Sequence, residues 1–328
     1  VTEPSGSAAA KLPVAAVRRP DWLPLAIIFG AAAIAILIAV FVTPNFLTVD
    51  NIRAILRNAA IVGIVAVGMT PMTLSGNFVS LGISQTAMAA MVSFVALLGA
   101  GVPQVVAMVI VIAGTVIVGV LQGVIVAAGL NPVITTLAAG AIIFGTVSQI
   151  TAGGIVRAGA PISWGGGTIA GIPIEVLVFV VFTAIVTVVM SRTVAGREST
   201  LIGANRATAE ISGISFTRVT LVAFAIFSVG LAVAGILSGA AYAQATANSF
   251  PGLTISVIAA VLVGGTAIGG GRGSPLRSAA GAVLIAIIAN MMVLNDFSTG
   301  GRLAVQGGVV VVIVVLLELL RRTGAVRS

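Results

Sequence analysis

The 328 residues are 59% hydrophobic and only 7% charged, with 16 Lys and Arg against 8 Asp and Glu, and a mean hydropathy of +1.24. That composition excludes a soluble globular domain and points to a polytopic membrane protein. The chain has no Cys and no His, which removes disulfides, thiol catalysis, imidazole bases and the usual transition-metal sites.

The apolar stretches approach the about 20 residues that a helix needs to cross a hydrocarbon core of about 30 Å, and none alternates over about ten residues as a barrel strand would. The expected fold is therefore an all-α polytopic membrane protein. The net charge of +8 has no basic run interleaved with aromatics, so nucleic acid is not an expected partner; the Arg residues sit singly or in pairs at the ends of apolar runs, in contact with lipid and water.

In chain order, residues 1–20 read as a cytoplasmic tail with Lys11, Arg18 and Arg19, and the apolar run from Leu23 to Val42 reads as a retained first span. Further spans are expected near 59–75, 81–99, 104–128, 133–151, 174–190, 218–241, 254–268, 276–294 and 303–320, about ten in all within a single permease domain over 21–320. With a cytoplasmic N-terminus, twelve of the sixteen cationic residues fall inside and four (Arg53, Arg57, Arg157, Arg302) outside, and the tail 321–328 also returns to the cytoplasm.

Asp50 to Asn58 reads either as a helix on the outer membrane surface or as the lead-in to the second span. Pro71 is expected to break that span part-way, with Ser75, Gly76 and Asn77 following as irregular backbone. Gly pairs four apart, at Gly119/Gly123, Gly235/Gly239 and Gly265/Gly269, are candidate helix contact faces. Two Gly-rich breaks, SGNFVSLG and GGGRGS, each precede two apolar helices, which suggests an inverted five-plus-five repeat.

One polar island stands out, Gly196 to Ile214 within a cytoplasmic loop at 191–217. It holds Arg197, Glu198, Arg206 and Glu210 in a chain almost without charge. Asn205 is a plausible N-cap and Gly213 a plausible stop for a short helix with Arg206 and Glu210 four residues apart. Two readings stand, a helix that seats in a partner and a solvated loop with an internal ion pair.

The Gly-rich stretch Gly264 to Ser274 cannot be a phosphate loop, because that motif needs a Lys before its Ser or Thr and Lys11 is the only Lys. It reads as a tight cytoplasmic turn. Glu175 begins the sixth span, Asp296 falls in an outer loop and Glu318 ends the last span, so no mid-membrane proton acceptor is evident. Candidates for a solute path are Asn77, Ser80, Thr135, Thr136, Asn248 and Asn290, each with interhelical hydrogen bonding as the alternative role. The loop 152–173 carries Trp164, and Tyr242, Asn248 and Phe250 follow the seventh span, suiting an interface belt or a docking surface.

Three stretches, IGANRATAEISGI (Ile202 to Ile214), GGTAIGGGRGS (Gly264 to Ser274) and SGNFVSLG (Ser75 to Gly82), resemble the permease subunits of bacterial ABC importers for sugars, the ribose-type or carbohydrate-uptake-2 group. The resemblance covers nearly the whole chain after Pro20. It implies that Gly203, Asn205, Arg206, Glu210, Ser212 and Gly213 belong to a segment gripped by a cytoplasmic ATPase, and that Gly264, Gly265, Gly270, Arg272, Gly273 and Ser274 form a Gly-rich turn. It further implies a second permease subunit, identical or paralogous, and an extracytoplasmic solute-binding protein, with ATP and Mg on the ATPase and no cofactor on this chain. Where that group usually carries Asp in the third motif, this chain has Phe78.

The expected function is thus a non-enzymatic permease subunit in the bacterial inner membrane, moving a sugar or related polyol by alternating access driven by a separate ATPase. The alternative is a self-sufficient facilitator or sodium-coupled secondary carrier for a small polar solute. A membrane scaffold or receptor whose loop only signals is a third reading.

Overall fold

The structure, a computed structural model, describes residues 23–322 apart from positions 45, 78 and 161. Phe78 and both charged tails, with Lys11, Arg18, Arg19 and Arg327, lie outside the described residues. Helices α1 (Leu23–Val42), α2 (Val49–Leu74), α3 (Ile83–Gly99), α4 (Gln104–Ala127) and α5 (Pro132–Ile150) come first. A loop with the two-residue strands β1 (Val156–Arg157), β2 (Thr168–Ile169) and β3 (Ile172–Pro173) leads to α6 (Ile174–Arg192). Two short helices, α7 (Val194–Ala204) and α8 (Arg206–Ile211), precede α9 (Phe216–Tyr242), β4 (Gln244–Ala245), α10 (Leu253–Val263), α11 (Pro275–Leu294) and α12 (Thr299–Arg322).

Six of these helices, α2, α4, α5, α6, α9 and α11, are long and apolar enough to cross a membrane by length and composition. Their outward faces identify the solvent. Val105, Val109, Ile117 and Leu121 on α4, Ile134, Leu137 and Ile142 on α5, and Val180, Val181 and Ile185 on α6 are all exposed. An apolar surface of that extent is stable only against hydrocarbon. The chain is a polytopic helical membrane protein.

Lipid is as apolar as Leu, so the helices are held by close fit rather than by escape from water. The central pair is α2 and α9, around Met69, Phe224, Phe227, Leu231 and Val257. Gly119 and Gly123 of α4 press on Ser228 and Phe224 of α9, and Gly235 and Gly239 of α9 press on α3; a Cβ at Gly119 would stand 1.6 Å from Ser228 Oγ. Two of the three expected Gly pairs are therefore contact faces. The third is not, because Gly265 and Gly269 sit in a turn where an added Cβ would meet no atom within 4 Å.

One open choice is decided and two local expectations change. Asp50–Asn58 is the opening of α2 itself, continuous with the span, rather than a separate surface helix. Pro71 does not break α2, which runs on to Leu74. A proline one turn from a helix end forfeits a single ladder bond, and its own carbonyl still accepts from Ser75 N at 3.1 Å. Finally, α10 stops at Val263 rather than 268, since Gly265 enters the left-handed region at φ +71° and its N–H caps Leu262 O at 2.8 Å.

Two shorter helices, α3 and α10, begin head to head. Ser84 N donates to Thr254 Oγ1 and Thr254 N donates to Ser84 Oγ, both at 3.1 Å, with the hydroxyls 2.9 Å apart. Each helix thus supplies a cap for an otherwise orphaned donor in the first turn of the other. Elsewhere β1 pairs antiparallel with β4, Val156 opposite Ala245, tying the loop after α5 to the end of α9.

Candidate functional site

The polar island folds as α7 and α8 at the end of the bundle where α2 and α10 finish and α11 starts. Asn205 caps α8, its side chain accepting from Thr208 N at 3.1 Å, and Gly213 ends the segment at φ +82°. Arg206 Nε donates to Glu210 Oε1 at 2.9 Å, and its guanidinium lies over the Phe216 ring at 3.6 Å. Arg218 at the start of α9 pairs with Glu198 of α7. The exposed Arg206–Glu210 pair contributes about 0.5 kcal/mol or less, so with the Phe216 contact it orients α8 more than it stabilises it.

Charge is not what this segment shows to solvent most plainly. Ile211, the last residue of α8, is 89% exposed, beside exposed Ser212 and Gly213, while Ile202, Ala209 and Val219 form a small core beneath. The end of this short helix therefore presents an isoleucine beside an ion pair. Sequence reasoning passed over Ile211 because it counted charges in the island; the signal available was an unburied aliphatic at a position off the Ile202/Ala209 face.

Gly203 has a different place from its neighbours in the motif. A Cβ there would stand 1.8 Å from Leu74 O and 2.4 Å from Gly271 N, and one at Gly270 would stand 2.8 Å from Gly76 N and 2.9 Å from Gly203 Cα. Gly271 N donates to Leu74 O at 2.8 Å. Backbones from the end of α2, the end of α7 and the turn between α10 and α11 therefore meet in one knot that only hydrogen side chains permit. All three resemblance motifs converge there.

The remaining residues of the turn hold it in shape. Gly270 and Gly271 take φ of +87° and +75°, Ala267 N bonds Arg272 O at 2.8 Å, and Gly264 lies against the Arg277 carbonyl. Gly273 packs on buried Thr266, Ser274 and Pro275 open α11, and Arg272 is exposed. Behind them Thr70 Oγ1 donates to Ser278 Oγ at 2.9 Å, a buried link from α2 to α11.

At the opposite end of α2, roughly 25 Å away by helical rise from Leu74 to Arg57, lies a cavity of about 460 Å³. That volume suits a small molecule. Its walls come from α2, the start of α6, α9, α10, α11 and α12. Among its polar lining groups are Arg57, Asn58, Glu175, Ser256, Arg302 and Gln306. Glu175 is buried, with Oε2 3.9 Å from Arg57 Nε, and Ser256 Oγ donates to Gln306 Oε1 at 3.3 Å.

The six expected path residues are distributed otherwise. Asn77 donates to Ser75 Oγ and to Thr220 Oγ1 at 3.1 Å, bracing the end of α2 against α9. Ser80 accepts from Gly82 N, and Thr136 Oγ1 accepts from Leu81 N, so both hold the extended stretch before α3. Thr135 is buried with its hydroxyl unpartnered. Asn290 and Asn51 exchange amide hydrogen bonds at 2.8 and 3.1 Å between α11 and α2. Asn248 lines a smaller cavity of about 280 Å³ with Ser84, Gln85 and Phe250. None of the six lines the larger cavity.

Comparison with known proteins places these features. The sequence profile of the family described as "Branched-chain amino acid transport system / permease component" matches residues 51–315. The chain is 30% identical over 299 residues to the ribose import permease protein of Haemophilus influenzae, covering 88% of this chain and 91% of that one. It is 29% identical to the ribose import permease protein of Escherichia coli K12, over 87% and 91% of the two chains. A probable ABC transporter permease protein of E. coli K12 is 35% identical over 159 residues, 48% of each chain. No solved structure matches.

Proposed function

Since the chain belongs to this family of ABC transporter permeases, and within it to the ribose-type group, we propose that it is the transmembrane subunit of an ATP-driven sugar importer in which α8 is the ATPase contact and the glycine knot transmits its movement. The observation that carries the reading is the knot. It welds α7 to α2 and to the α10–α11 turn at one end of the bundle, while α2, α10 and α11 line the larger cavity with their other ends.

In this mechanism the ATPase grips Ile211, Glu210, Arg206, Asn205, Ser212 and Gly213. Displacement of α8 passes through α7 to Gly203, and from there to Leu74 and Gly271 by backbone contact. Tight packing has few intermediate arrangements, so a rigid lever of this kind converts a shift at one end into a change of cavity shape at the other. ATP and Mg act on the ATPase, and no bond is made or broken on this chain.

The same reading takes the ten apolar helices as ten spans, α7 and α8 as cytoplasmic, and both termini as cytoplasmic in a bacterial inner membrane. It takes the chain as an inverted five-plus-five repeat. Helices α2 to α5 begin at 49, 83, 104 and 132 and α9 to α12 at 216, 253, 275 and 299, and Ser84 and Thr254, which cap each other, are 170 residues apart. The interrupted stretch 75–82 then matches 245–252 rather than the Gly-rich turn. A second permease subunit, two ATPase domains and an extracytoplasmic binding protein complete the importer, and a sugar or polyol is its solute.

The test is a pair of substitutions on α8. Ile211→Asp and Glu210→Arg are expected to abolish ATPase co-purification and ATP-driven sugar uptake in proteoliposomes, while the permease keeps its thermal unfolding midpoint. Intact coupling in both variants would remove α8 from the ATPase contact.

A further inference from the structure

The larger cavity carries more charge than a neutral polyol needs. Its ionised lining groups are Arg57, Glu175 and Arg302. Arg57 and Glu175 answer one another, with 3.9 Å between Nε and Oε2, and Arg57 also donates to Gly166 O. Arg302 has no such answer. Among the described residues no carboxylate lies within ion-pairing distance of it; its exposed Nη2 donates to Thr299 Oγ1 at 3.0 Å, and its Nε, like that of Arg57, has no hydrogen-bond partner. The cavity therefore holds one uncompensated positive charge.

Position adds to that charge. Arg302 stands in the first turn of α12, where the helix dipole already presents positive potential and disfavours a cation. Thr299, Arg302, Leu303 and Gln306 follow the three- and four-residue spacing of one helix face, and all four line the cavity. The first turn of α10, at Leu253, reaches the same space, bringing a second positive helix end. An arginine that lines a cavity without a carboxylate partner leaves its charge available to an anion that enters there.

Resting on the importer reading, we propose that this cavity binds a sugar carrying a carboxylate, an aldonate or uronate, with the carboxylate on Arg302 and hydroxyls on Glu175, Ser256 and Gln306. Guanidinium and carboxylate match as a planar fork, which a neutral hydroxyl cannot fill. Glu175 accepts from hydroxyls but repels excess negative charge, so a single carboxylate suits the site better than a phosphate dianion. The volume of about 460 Å³ accommodates a monosaccharide acid with water.

The experiment measures binding of D-gluconate, D-ribose and L-leucine to the full chain in lipid nanodiscs by ligand-induced thermal shift. D-gluconate is expected to bind at least about tenfold more tightly than D-ribose, the effect of one charge-assisted fork. Arg302→Gln should erase that preference and Arg302→Lys should keep part of it. Arg53→Gln, which alters an ion pair with Asp50 outside the cavity, should leave it unchanged. Equal binding of D-gluconate and D-ribose by the unaltered chain, tighter binding of L-leucine, or a preference that survives Arg302→Gln would each overturn the proposal. If Arg302→Gln misfolds, the comparison of solutes on the unaltered chain still decides. Uptake by the permease with its ATPase and binding protein separates the two readings: ATP-dependent entry of D-ribose without D-gluconate keeps the importer and removes the acid-sugar site. A lack of ATP-dependent entry for any sugar removes the importer, while the binding data continue to judge the site.

Discussion

Gly203 shows how much one hydrogen atom decides. A Cβ at this position would stand 1.8 Å from a backbone carbonyl that cannot rotate away, so Gly203→Ala is expected to destabilise the chain by about 1–3 kcal/mol. The loss should appear as a lowered thermal midpoint together with lost ATP-driven uptake. The same exchange at Gly145, an exposed helical position with no atom within 4 Å of the added methyl, should be neutral or stabilising by up to about 1 kcal/mol. Opposite signs for the two substitutions test the knot directly. Gly203 is thus read as part of the transmission path and Ile211 as part of the contact, although both fall in one motif.

Among the helices, α3 and α10 depend on one another for their first turns. Thr254→Val keeps side-chain volume and removes the hydroxyl that accepts from Ser84 N, and a lost cap costs about 0.5–2 kcal/mol. Because the two residues share one network, Ser84→Ala with Thr254→Val should cost less than the sum of the single changes, a coupling that a double-mutant cycle on unfolding midpoints will measure. Additive costs would mean that the two helix starts are capped independently, and would weaken the case for a repeat centred on them. The short α8 rests on a weaker base, an Asn cap and an exposed ion pair, and is correspondingly free to be held by a partner.

Over the whole molecule, the lack of any Cys makes sidedness measurable without background. Single variants Ser212→Cys and Gly269→Cys, both at exposed positions near the knot, are expected to react with a membrane-impermeant maleimide only from the cytoplasmic side, and Asn248→Cys only from the other. Labelling of Ser212→Cys and Asn248→Cys from the same side would overturn the ten-span arrangement. The cavity lies at one end of α2 and the knot at the other, so this labelling also tests whether the two ends face opposite compartments.

Much of this architecture is legible in the residues. Ten apolar runs, the polar island, the Asn205 cap, the Arg206–Glu210 pair and the Gly213 stop follow from hydropathy, local hydrogen bonding and four-residue spacing, which act within a few turns of chain. What lay beyond reach was long-range. No local pattern says that Leu74, Gly203 and Gly271 touch, that Ser84 caps Thr254, or that Glu175 and Arg302, read as belonging to a span end and an outer loop, line one cavity. The small polar residues chosen as a path are mostly spent on holding helices together, because buried amides and hydroxyls take the nearest partner. Sequence alone determined that the chain crosses a membrane and where it carries a capped polar helix, since hydropathy and capping are local. Only the tertiary structure decided which backbones meet at Gly203 and that Glu175 and Arg302 line one cavity, since contacts between residues far apart in the chain depend on how closely backbones can approach.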